Sequence, residues 1–304
     1  MSTTTGFAGL PLCADLSALE ADVAVVGAPH AVFYRAGEPS HSAAAPAVIR
    51  AAIDGYSLEL HHHDFDLGGP LLGDGSRRAV DCGDIAGDAG DPDGNVRRIT
   101  EAIGAILDAG AVPVVLGGDD SVAIPVFQAF KGMEPLTIVQ VDAHIDWRDE
   151  VGGETRGYSS TMRRASEMPW IEHIVQVGAR GVGSARPGEV ADAREWGAIF
   201  ITAREVHEHG VAAALECVPD GARCLLTVDC DGLDPTVMPA VMAREPGGLT
   251  YRQMLDLIHR LATRTRIAGF NLVEFAPSAD IDGMGAVTAA RIVCNAIGAI
   301  VRQG

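Results

Sequence analysis

Three apolar runs in this chain each stop at a knot of carboxylates, and that coincidence limits the fold more than any other feature. Residues 113–116 run into Gly117-Gly118-Asp119-Asp120-Ser121, and residues 136–141 into Asp142-Ala143-His144-Ile145-Asp146. Residues 224–228 run into Asp229-Cys230-Asp231-Gly232-Leu233-Asp234-Pro235. Further runs at 22–26, 173–177 and 267–273 have the same unbroken apolar character. Continuous β-branched runs, without in/out alternation, are what strands covered on both faces need. Helix-period segments lie between them. Ile99, Ile103, Ile106 and Leu107 mark one stripe that stops at Gly110, and Thr250 reads as the N-cap of a helix carrying Met254, Leu255 and Ile258. A last helix spans 287–301. Strand–helix alternation without linker or repeat predicts one α/β domain over residues 1–304, built around a parallel sheet. Such sheets bind ligands just beyond the carboxyl ends of their strands. The carboxylate knots sit there.

Carboxylates pressed together repel and shift their pKa values unless a cation joins them. A lone Asp-x-Asp after a strand is commonly a turn or a helix cap. Asp142-x-His144-x-Asp146 together with Asp229-x-Asp231, on separate strands, reads instead as a metal site. Many carboxylates with one imidazole suit a hard, oxygen-preferring divalent ion such as Mn²⁺ better than a thiolate-bound Zn²⁺. His61-His62-His63 lies in a loop stretch without such partners and is not read as a second site.

Composition narrows the function classes. Of 304 residues 47% are apolar, enough for a large core. The 23 basic and 41 acidic residues leave a net charge of −18, which disfavours nucleic acid as a partner. That surplus reads first as a soluble surface and only second as a field that draws in a cation. Six cysteines form no CxxC pair, so reduced thiols and a cytoplasmic location are expected. The first basic residue is Arg35, so the start lacks the charged segment of a signal peptide. No apolar run reaches the roughly 18 residues of a membrane span, so no membrane association is expected.

The clusters resemble the signatures of the ureohydrolases (arginases and agmatinases): Gly-Gly-Asp-His-Ser, Asp-Ala-His-x-Asp and Asp-x-Asp-x-x-Asp-Pro. The likeness runs along nearly the whole chain. It includes Gly27-Ala28-Pro29, Arg35, Gly37, Pro46 and Ile49-Arg50, then Asp81-Cys82-Gly83-Asp84, similar to the family's Asp-x-Gly-Asp turn. Gln176-Val177-Gly178-Ala179-Arg180-Gly181 and Glu274-Phe275-Ala276-Pro277, with Asp280 and Thr288-Ala289, complete it. The resemblance implies a three-layer α/β/α sandwich holding two Mn²⁺ ions per subunit, with Ni²⁺ the alternative. Asp142 and Asp229 would bridge the ions, Asp146 would bind one of them, and His144 and Asp231 the other. Asp234 would be structural, Cys230 buried packing, and Glu274 the partner of a planar guanidinium. Trimers or hexamers are usual in the family.

Two positions depart from that pattern. Asp120 stands where the family has a metal-binding His; its oxygen can still ligate Mn²⁺. Arg156-Gly157 stands where agmatinase-like members carry a His-Gly whose His assists proton transfer, and a guanidinium cannot act as a base. Compensation of the added Asp120 charge by Arg156 is one expectation; the other is that Arg156 pairs with Glu150 or Glu154. The arginase-type Asn and Ser-Gly-Asn are missing after Asp146, so L-arginine is not the expected substrate. Arg148, Arg156, Arg163 and Arg164 make this loop basic and favour a carboxylate-ended guanidino acid over agmatine, with pairing to Glu154 and Glu167 the other expectation for Arg163 and Arg164. The resulting reading is a hydrolase that releases urea and an amine from a small guanidino compound, with Asp146, Glu274 and Arg156 as candidate catalytic groups. Its alternative is an impaired subunit supporting an active paralogue in a hetero-oligomer. A deacetylase-type hydrolase on the same fold is disfavoured by Glu274 and its Pro-containing segment.

Overall fold

The computed structural model of the chain describes residues 6–35, 37–54 and 61–303. Its eight strands form one sheet: β1 (Val23–Ala28), β2 (Ala79–Asp84), β3 (Val112–Gly117), β4 (Leu136–Val141), β5 (Ile171–Val177), β6 (Ile199–Ile201), β7 (Arg223–Asp229) and β8 (Arg266–Val273). The order is β2-β1-β3-β8-β7-β4-β5-β6, and every neighbouring pair is parallel. Both faces are covered, as the unbroken apolar runs require. Val23, Val25, Val114, Leu116, Val139 and Val141 enter one core with the helices Tyr251–Arg264 and Met284–Val301. Their neighbours Ala24, Val26, Val115 and Ile138 enter the other, against Ile99, Ile103 and Ile106 of the helix Pro92–Asp108. The period-two alternation of side chains thus divides each strand between two helical layers, giving the three-layer α/β/α sandwich.

Two strands escaped the sequence reading. The segment Asp81-Cys82-Gly83-Asp84, expected to turn, is the end of the edge strand β2. Its charge is absorbed locally: Arg50 Nε lies 2.8 Å from Asp81 Oδ2, and the Phe7 N–H donates to the same oxygen at 2.7 Å. The other edge strand, β6, has three residues, too few for an apolar run to register. The helix Met284–Val301 is longer than the expected 287–301, and it is long and apolar enough to cross a membrane. It is instead a core helix, packed on Ala45–Asp54 and Tyr251–Arg264.

Candidate metal centre and substrate cleft

The carboxyl ends of β3, β8, β7 and β4 are contiguous in the sheet, and all the acidic clusters issue from them. The chain leaves β3 through Gly118, where an added Cβ would lie 2.4 Å from the Pro29 carbonyl oxygen, so only glycine passes. Asp119 and Asp120 follow. Asp146 and Glu274 both adopt left-handed backbone, with φ of 45° and 61°. Non-glycine residues rarely do so, and such strain clusters where side-chain aim matters. For Glu274 it is held from both sides. Its own N–H donates to the Gly118 carbonyl at 2.9 Å, and the Asp120 N–H donates to Oε1 at 2.8 Å.

Two groups of side chains are placed to hold a cation. Asp142, His144 and Asp231 form one, and Asp120, Asp142 and Asp146 the other, each offering atoms within 4.8 Å of one another. Asp142 belongs to both. His144 Nδ1 lies 3.1 Å from Asp231 Oδ2 and 3.3 Å from Asp142 Oδ1. Gln140 Nε2, from the end of β4, donates to Asp142 Oδ2 at 2.7 Å and fixes that carboxylate. Asp120 Oδ2 accepts from the Thr161 hydroxyl, whereas Oδ1 is buried without a partner. Burial first, and neighbouring carboxylates second, push the Asp120, Asp142 and Asp229 carboxyls well above the usual range. Asp146 moves the same way, chiefly through burial. For His144, burial is the largest influence and opposes the charge, but the Asp231 hydrogen bond and the charges of Asp231, Asp146 and Glu274 together outweigh it and carry the imidazole up to about 9. A nest of buried carboxylates that repel each other, one oxygen of which has no hydrogen-bond partner, is the electrostatic signature of a cation-binding site.

The remaining expected residues divide. Asp229 stands beside the groups, its Oδ1 accepting the Asp231 N–H at 2.8 Å, but joins neither among the described residues. Asp234 accepts the N–H groups of Thr236 and Gly247, a structural role, and Cys230 is fully buried in the core. Arg156 does not meet Asp120. Its guanidinium pairs with Glu154 at 3.1 Å and Asp93 at 2.6 Å, because the loop turns it away from the strand ends. Charge compensation by Arg156 is therefore corrected, and the pairing with Glu154 is what the loop provides. Arg163 and Arg164 pair with Asp192, Asp149 and Glu167. The His61-His62-His63 tract joins neither cation group.

A cleft of about 560 Å³ opens over the cluster. His144, Asp146, Asp229, Asp231 and Glu274 form its floor, Phe33, Tyr34, Trp147 and Tyr158 line it, and Arg35 and Arg148 contribute cationic groups. Each arginine has a loose partner, Arg35 with Glu38 at 3.5 Å and Arg148 with Glu189 at 3.9 Å. Sequence reasoning missed three positions. His41 lines the cleft and hydrogen-bonds Glu274 Oε2 through Nε2. Arg180 donates to the carbonyls of Asp231, Leu233 and Glu245, clamping the loop after β7. Gln176 donates to the Ile145 carbonyl and to Gln140, which steadies the loop after β4. For Arg180 and Gln176 the strand motif was in view, but not the contacts it makes. His41 carries no local signal at all.

Comparisons with known proteins agree with this geometry. Residues 21–298 match the Arginase family. An N(1)-aminopropylagmatine ureohydrolase of Thermococcus kodakarensis is 30% identical over 273 residues, covering 88% of each chain. An agmatinase of Bacillus subtilis is 31% identical over 280 residues, covering 90% of each. The solved proclavaminate amidino hydrolase of Streptomyces clavuligerus superposes with a TM-score of 0.85 at 27% identity, covering 100% of this chain and 99% of that one.

Proposed function

Because the chain belongs to the arginase family and is an enzyme of the ureohydrolase class, we propose that it is a dinuclear-metal hydrolase releasing urea from a guanidino acid. The observation that carries this reading is the pair of cation-holding groups sharing Asp142, directly beside Glu274 on the next strands. Asp142, His144 and Asp231 would hold one ion, Asp120, Asp142 and Asp146 the other, with Asp229 as a second bridge. The donor set fits Mn²⁺, being oxygen-rich with one imidazole, and Asp120 Oδ1 has no other partner; Ni²⁺ is the alternative ion. When bound, the two ions would lower the pKa of the water that attacks the guanidinium carbon.

The chain's own residues do the rest. Glu274 presents a buried carboxylate to a planar cation, so the guanidinium carbon is held within attack distance. The Asp120 N–H on Oε1 keeps that carboxylate from rotating. Phe33, Tyr34 and Tyr158 flank the substrate's arm and exclude water around it. Arg148 and Arg35 would receive a terminal carboxylate, which favours a guanidino acid over the cationic tail of agmatine. Of the basic residues near the cleft only these two remain for that role, since Arg156, Arg163 and Arg164 are committed elsewhere. That one solved relative is a proclavaminate amidino hydrolase supports an amidino substrate other than agmatine. Both acidic groups are assembled, so nothing favours an impaired subunit. One domain, a cytoplasmic location and a homo-oligomer, trimer or hexamer, complete the proposal.

The test is metal content together with a urea-release screen on the purified protein, using guanidinobutyrate, guanidinopropionate, agmatine and L-arginine. Two equivalents of metal and preferential hydrolysis of a guanidino acid are expected. A metal-free protein that releases no urea from any of them would overturn the reading.

A further inference from the structure

The Glu274 carboxylate is already occupied on both oxygens: Oε1 by the Asp120 N–H and Oε2 by His41 Nε2. His41 comes from the segment before the helix Ala45–Asp54, 233 residues away in sequence, and its side chain is 16% exposed, toward the cleft. Phe33 and Tyr158 pack edge-on against its ring, with centroids 5.8 and 6.0 Å away. We propose that His41 is a catalytic residue of this enzyme, the acid that hands a proton to the departing nitrogen.

The inference rests on the reading of Glu274 as the guanidinium partner. A guanidinium N–H that reaches Oε2 shares that oxygen with His41, so its nitrogen lies beside Nε2. The substrate's arm leaves the floor past Phe33 and Tyr158, which pack on His41 and, 6.1 Å apart, on each other, so the nitrogen nearest the imidazole is the substituted one, which must leave. The two other candidates are spoken for. His144 is turned to Asp231 and Asp142, and Arg156, at the position where a proton-transferring His was expected, pairs with Glu154 and Asp93. Glu274 and Asp119 are the charged groups facing His41; burial opposes its protonation, but Glu274 prevails and holds its pKa above the ordinary value. Its Nε2 is thus paired with a buried carboxylate, an arrangement that favours the protonated imidazole.

The step balances. Water adds through oxygen to the guanidinium carbon and loses one proton to solvent. The C–N bond breaks, its electron pair stays on nitrogen, and the His41 proton is transferred there. The remaining hydroxyl proton passes to the imidazole as the C=O of urea forms, and the free amine takes up a proton from solvent.

The test is steady-state hydrolysis of guanidinobutyrate by the metal-loaded full chain, its His41→Gln and His41→Ala variants, and Glu274→Gln, with thermal melting to verify folding. For His41→Gln, kcat should fall by roughly 10²–10⁴ while KM stays within about threefold. The alkaline limb of the pH–rate profile, where His41 loses its proton, should disappear. Added imidazole should restore part of the kcat of His41→Ala, an effect a purely structural role would not give. Unchanged kcat and an intact alkaline limb would overturn the His41 proposal, as would a His41→Ala protein that imidazole does not rescue. Failure of the wild type to release urea, or indifference of KM to Glu274→Gln, would instead overturn the functional reading beneath it.

Discussion

The Asp120 backbone N–H donates to Glu274 Oε1 at 2.8 Å, so the residue that opens one acidic group also aims the carboxylate of the adjacent strand. Removing the charge while keeping the shape isolates what that carboxylate does for a cation. Glu274→Gln is expected to weaken guanidino-acid binding by about 1.5–3 kcal/mol, the range for a hydrogen bond to a charged group. A rise in KM of roughly 10- to 100-fold would register it.

Asp142 is the residue common to both cation-holding groups. Asp142→Ala should take bound metal from two equivalents to one or none, read by elemental analysis after desalting. His144→Ala removes a ligand from one group only and should leave the other equivalent in place.

Metal removal should invert the pH dependence of stability. The Asp120, Asp142 and Asp229 carboxyls have raised pKa values in the folded chain. Groups of this kind bind protons more tightly folded than unfolded. Their contribution is complete below about pH 3.9 and is lost as the pH rises through the higher folded values. Chelator-treated protein should therefore melt at a lower temperature as the pH climbs from acid toward neutral. Restoring the ions should reverse that slope, and Asp142→Asn should flatten it in the stripped protein.

Arg156 carries no burden at the metal cluster. Its partners, Glu154 in the same loop and Asp93 in the first turn of the helix Pro92–Asp108, are partly to largely exposed. Arg156→Ala should cost less than about 1 kcal/mol of stability and leave metal content unchanged. In a double-mutant cycle with Asp120→His the two effects should add, within about 0.5 kcal/mol.

Arg148 is the cleft arginine nearest to being free, with its carboxylate partner 3.9 Å away. Arg148→Ala should raise KM for guanidinobutyrate about tenfold, the low end of a charged hydrogen bond at an open site, and leave KM for agmatine unaltered. Paired kinetics on the two substrates read this directly.

What the sequence disclosed and what it withheld follow one physical division. Asp142, His144 and Asp146 sit within five positions after an apolar run, so strand and site are written side by side. The same holds for Asp229 and Asp231. The interior strands were legible because burial on both faces demands unbroken apolar residues. At the edges that demand relaxes, and β2, with Asp81 and Asp84, reads as a turn until Arg50 is seen against it. His41 was illegible because its partner is 233 residues away and nothing local marks it. For Arg156 two readings stayed open for the complementary reason: position along the loop was known, but not the direction in which it points, and of the two the structure gives the Glu154 pair.

The order of strands in the sheet has a bearing on how the chain is made. β8 is the last strand to be synthesised, yet it lies between β3 and β7. Until it arrives, the earlier strands can form only two partial sheets, each with an open edge ready to pair with the wrong neighbour. Insertion of residues 266–273 closes both edges in one event, and Glu274 is the next residue delivered. The group that grips the substrate therefore enters with the strand that locks the sheet, so that an incompletely folded chain lacks its grip.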